Sequence, residues 1–137
     1  KGINIFLSFP FPLTNSLALR EFSENFKIKK IQPWIELEKE EILAFVKKSP
    51  LKSEIYRYGR PFILATRASI PLDGEIYDQM KNGFKIACLE NSQITYLYPK
   101  EVFSIPEISN TDTFFDLTNA KLNEKSVSVF NFSTEFV

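Results

Sequence analysis

Arg60 follows Gly59 at the exit of a strand-like run, Glu54-Ile55-Tyr56-Arg57-Tyr58, and Pro61 comes directly after it. A guanidinium held at a strand end presents a planar fork of donors that suits a carboxylate or a phosphate. Glu36 can serve as a base or simply pair with Arg60. Asn15 can bind a substrate through its amide, or cap a helix. Tyr58 reads as site or as core, and Arg67 as site or as surface. Gly59 suits an unusual backbone angle or a close approach.

The chemistry open to these residues is narrowed by what the chain lacks. Its 137 residues include no histidine. The commonest general base, the commonest metal ligand and every imidazole-dependent triad are therefore missing. Ser16 and Ser69 have no imidazole to activate them. Cys88 is the one cysteine, so no intrachain disulfide forms and no cluster can be built from thiolates of this chain alone. Glu36, Asp73, Asp78 and Asp116 show no metal-ligand spacing. The expectation is no cofactor and no metal. Lys+Arg and Asp+Glu both number 17, giving zero formal charge. A polyphosphate partner usually leaves a basic excess, so nucleic acid is not expected as a partner of this chain alone. The 14 Phe and 5 Tyr read first as core. No apolar run approaches the ~20 residues of a membrane span. A lone cysteine fits a reducing compartment, and a cytoplasmic location is expected.

Elements must position these residues. Ile3 to Leu7 reads as a strand, and Pro10 and Pro12 break the chain. Thr14-Asn15-Ser16 supplies N-cap chemistry for a helix whose apolar face is Leu19, Phe22 and Phe26. Lys27 to Ile31 reads as a second strand. Glu38 to Lys48 is a second helix with an Ile42, Phe45 and Val46 stripe and lysines at its end. Glu54 to Tyr58 is a third strand. The alternation predicts parallel strands with crossover helices. Beyond residue 70 the period changes. Phe84 to Leu89 and Ile94 to Tyr98 predict an antiparallel hairpin. Ile76 to Lys81 is ambiguous, Thr113 to Leu117 reads as a strand, and 123–137 fits helix or strand.

The ordered stretches LTNSLAL, IKKIQPWIELEKEEI and EIYRYGRPFILATRA, followed by the hairpin and by Asp116-Leu117, together resemble the later β/α units of peptidase family U-thirty-two, the collagenase-like peptidases. The resemblance implies a TIM-like β/α barrel. It implies a protease, or a subunit of an oxygen-independent hydroxylase acting on tRNA or ubiquinone precursors through a four-cysteine iron–sulfur cluster. Ala68 stands at or beside the place of one family cysteine, and Cys88 matches none. In such a barrel the carboxyl ends of the strands face the site. Asn15, Glu36, Tyr58 and Arg60 would gather there, with Arg67 close behind, as substrate-binding residues.

The expected fold class is thus α/β, a partial TIM-like barrel with an inserted antiparallel hairpin. Residues 1–70 would form its βαβαβ portion, 71–108 the hairpin, and 109–137 a return strand and terminal segment. A whole barrel takes ~250 residues. The absent initiator Met also points to a processed chain or a piece of a longer one. The expected partner is therefore the rest of a longer chain, or a partner subunit completing the barrel. The expected function is that of a peptidase-like fragment without independent catalysis. The alternatives are a protein-binding module using the strand-end face or an open sheet edge, and a hydroxylase subunit whose cluster ligands lie elsewhere.

Overall fold

The computed structural model describes residues 3–68, 70–72, 74–89 and 93–128. The chain divides into two compact units. The first takes Lys1–Arg57, Ile105–Phe115 and Ser128–Val137, and the second takes Tyr58–Ser104 and Asp116–Val127.

In the first unit, β1 (Ile5–Leu7), α1 (Ser16–Asn25), β2 (Ile28–Ile31), α2 (Lys39–Lys48) and β3 (Lys52–Gly59) alternate in sequence. β1 pairs with β2 and β2 with β3, both parallel. The helices form where the sequence caps them. Asn15 accepts from the Ala18 backbone N–H at 2.8 Å, satisfying one orphan donor of α1. Glu40 and Glu41 sit in the first turn of α2 and Lys47 and Lys48 in its last, both favoured by the helix dipole. Leu19 of α1 and Phe45 of α2 pack with Ile28 and Ile31 in one core, and Ile42 packs with Leu37, Ile55, Ile105 and Ile108 in another.

The other side of these strands is polar and aromatic. The ammonium of Lys30 lies 2.9 Å from Glu54 and 2.8 Å from Asp112. Asp112 opens β9 (Asp112–Phe115), which pairs with β3. The strand ends themselves are filled. Buried Gln32 accepts from the Phe9 N–H at 3.1 Å and donates to Glu54 at 2.9 Å. The Phe9 ring stacks on Trp34 with centroids 5.4 Å apart.

The second unit holds the other sheet. β4 (Leu64–Thr66), β7 (Ile94–Pro99), β6 (Gly83–Leu89) and β5 (Glu75–Tyr77) are neighbours in that order, and every pairing is antiparallel. The last two residues of β3 pair antiparallel with β8 (Val102–Ser104). β10 (Ser126–Ser128) adds to β8. A small core joins Tyr58, Val102 and Ala120. Gly59 has φ 147°, a backbone angle that L side chains rarely adopt, in keeping with its place before Arg60.

The partial TIM-like β/α barrel is overturned. A barrel needs each parallel strand followed by a crossover helix. Among the described residues there are two helices, and one of the two sheets is wholly antiparallel. After β3 the chain turns to short strands that pair antiparallel, with no helix between them among the described residues. The expected antiparallel hairpin is present as β6 and β7, and β4 and β5 add to its two sides to make a larger sheet. The segment 123–137 contributes the short strand β10, and residues 129–137 lie outside the described ones.

Candidate functional site

The five residues singled out in the sequence fall into two groups. Asn15 and Glu36 belong to the first unit. Asn15 spends its side-chain oxygen on the α1 cap. Glu36 is exposed in a turn and has no hydrogen bond or ion pair among the described residues. Tyr58, Arg60 and Arg67 belong to the second unit. Arg67 is exposed and likewise has no ion pair among the described residues.

Tyr58 and Arg60 do come together, on one segment. The carboxylate partner of Arg60 is Glu124, which takes both terminal guanidinium nitrogens. Arg60 Nη1 also donates to the Asn119 carbonyl, and Nε to the Lys100 carbonyl at 3.1 Å. Four of the five guanidinium N–H groups are thereby used. Tyr58, 9% exposed, donates its hydroxyl proton to the Lys121 carbonyl at 2.6 Å and accepts from the Glu124 N–H at 3.1 Å. Glu124 also accepts from the Lys121 N–H at 2.5 Å. The Arg60 bond, and after it that backbone bond, holds the Glu124 carboxyl down at about 2, against an ordinary 4.5. Arg60 therefore pins the segment Asn119 to Glu124, and its fork is occupied from within the chain.

That pinned segment borders a sheet face on which aromatic rings collect. Successive residues of a strand alternate between faces. Tyr96 and Tyr98 of β7 therefore share a face with Ala87 and Lys85 of β6 opposite them, then with Glu75 and Tyr77 of β5, and with Ala65 of β4. Phe62 meets Tyr96 edge-on at 5.2 Å, and Tyr96 lies 6.0 Å from Tyr98. Tyr98 is hydrogen-bonded to Asn119, the residue whose carbonyl Arg60 holds, while loss of water raises its phenol above the ordinary value of 10.0. At the β5 edge Tyr77 is 58% exposed, and at the far end of β6 Leu89 is 52% exposed.

Lys100 crosses this face. Its ammonium lies 2.6 Å from Glu75, donates to the Tyr77 hydroxyl at 3.0 Å and sits 5.4 Å from the Tyr77 ring centre. Glu75, then Tyr77, raises the Lys100 pKa above its ordinary 10.5. Lys100 in turn, then Tyr77, lowers Glu75 below 4.5. The side chain passes close over position 83, which has no Cβ. One built there would lie 2.9 Å from Lys100 Cδ and 3.2 Å from Tyr77 Cε1.

This arrangement suits contact rather than bond-making. Tyrosine rings give large amphipathic area at small entropic cost, which is why they are enriched where proteins meet. Lys100 is held charged and is no base at neutral pH. Among the described residues no three His, Cys, Asp or Glu side chains gather where they could hold a metal ion. The sequence has the tyrosines of β7 two residues apart, a spacing that puts them on one face. It holds no sign of Lys100 and Glu75 meeting, since twenty-five residues separate them. No family model, no curated protein and no solved structure matches the chain.

Proposed function

We propose that the chain is a protein-binding module and that the tyrosine-bearing face of the β4–β7–β6–β5 sheet is its contact surface. The observation that carries this reading is the set of Phe62, Tyr96, Tyr98, Tyr77 and Leu89 on one open face, with Tyr77 and Leu89 each more than half exposed. Tyrosine rings gathered on one sheet face, interspersed with long charged side chains, are enriched where proteins meet. The peptidase reading that the resemblance implies has no nucleophile–base pair behind it among the described residues. A cytoplasmic location belongs to the same proposal, because the single cysteine, Cys88, is exposed and free. No helix among the described residues is long and apolar enough to cross a membrane.

The test compares two double variants as baits. Tyr77→Ser with Leu89→Ser alters the proposed face. Phe6→Ser with Leu17→Ser alters exposed apolar residues of the first unit. The face variant should keep the parent melting temperature and lose a protein that both the parent and the other variant retain. Equal capture by all three baits would end the proposal.

A further inference from the structure

The outer edge of this sheet, at β5, carries backbone groups that point away from the sheet. Asp78 N–H donates to the Asn82 carbonyl at 3.1 Å, and Ile86 N–H donates to the Gly74 carbonyl at 3.0 Å. In an antiparallel ladder such bonded residues alternate with unbonded ones. The register pairs Glu75 with Lys85, Ile76 with Phe84 and Tyr77 with Gly83. Ile76 therefore bonds inward to β6, while the N–H and C=O of Glu75 and of Tyr77 face outward. No strand among the described residues lies beyond β5.

The edge is complementary to itself. Two antiparallel copies of Glu75-Ile76-Tyr77 centred on Ile76 set Glu75 of each opposite Tyr77 of the other. The outward N–H and C=O groups then form four hydrogen bonds with none left over. Ile76 meets Ile76 on one face, as a close cross-strand apolar pair. On the other face, Glu75 of each copy arrives beside the Tyr77 over which the partner's Lys100 ammonium lies. Across the axis the charges run Lys100, Glu75, Glu75 and Lys100, each Glu75 keeping its own lysine and lying beside the tyrosine ring over which the partner's lysine sits. A two-fold contact of this kind closes after two copies.

We infer that β5 pairs edge to edge with β5 of a second copy of this chain, about a two-fold axis through Ile76, joining two four-stranded sheets into one. This inference rests on the reading of the same sheet as a contact surface, but uses its edge instead of its face.

Sedimentation velocity over a dilution series should show a reversible monomer–dimer equilibrium. In the dimer the amides of Glu75 and Tyr77 should exchange as slowly as that of Ile76, whereas on dilution they should become fast and Ile76 stay slow. Tyr77→Pro removes an outward N–H and breaks no backbone bond within the chain, so it should abolish the dimer. Tyr77→Ser keeps that N–H and should retain it. A parent chain that is monomeric at every concentration, or a dimer in which the two outward amides stay fast, overturns the inference. The exchange pattern decides even where Tyr77→Pro does not fold. A monomeric chain that still loses its captured protein through the face variant removes the edge pairing and leaves the face reading standing.

Discussion

Replacing Arg60 with Met removes the donors that reach Lys100, Asn119 and Glu124 and leaves a carboxylate without its cation. The variant should melt well below the parent, and proteolysis should cut first between residues 116 and 124. Retained stability together with new binding of small carboxylates would instead give Arg60 a ligand role. Tyr58→Phe is the milder probe, with an expected loss of about 1–2 kcal/mol in urea unfolding for a buried hydroxyl that serves two partners. The pH dependence has a definite sign. The Glu124 pKa is lower in the folded chain, about 2, than its ordinary 4.5. Its contribution is whole above 4.5 and is lost as pH falls from there toward 2. Glu124→Gln should be less stable than the parent at neutral pH, and the gap should shrink across that window in acid melts. Arg60 stands out in the sequence because a glycine and a proline flank it at a strand exit. Its partner does not, because Glu124 lies 64 residues away and no local pattern pairs the two.

The elements differ in how plainly the sequence announces them. Both helices carry an apolar stripe, N-terminal capping chemistry and, for α2, a lysine-rich end, so pattern and cap agree. Asn15→Ala should therefore cost about 1 kcal/mol of stability in denaturant unfolding. The hairpin β6–β7 is long enough to show its period of two. β4, β5 and β8 are three-residue strands, too short for a period to emerge, and they are placed by their neighbours. Gly83 reads from sequence as half of an Asn-Gly turn signal. In the fold it opens β6 and leaves room for Lys100 to cross to Glu75. Gly83→Ala should push Lys100 aside. Titration followed by NMR should then show the Glu75 pKa rising toward 4.5, its ordinary value. An unmoved Glu75 would mean that the lysine reaches it by another path.

At the scale of the molecule, the β/α repeat stops sooner than a barrel requires. Three parallel strands and two crossover helices are present. After β3 the chain forms a second sheet that is antiparallel throughout, with β5, β6 and β7 in sequence order and β4 added beside β7. The strand-end pocket expected of a barrel is lost with the barrel. Gln32, Phe9 and Trp34 fill the ends of β1 and β2. Arg60 and Tyr58, which a barrel would set in that pocket, serve instead to fix the segment beside the tyrosine face.

The claim that this face is where the chain meets another protein can be tested by contact itself. Lys85 is exposed at the centre of the face, and Lys47 is exposed on α2 in the first unit. A photo-crosslinking amino acid placed at each position in turn, and activated in cells, should yield a discrete higher-mass adduct from position 85 and none from position 47. Adducts from position 47 alone, or none from position 85 with the protein folded and abundant, would contradict the claim.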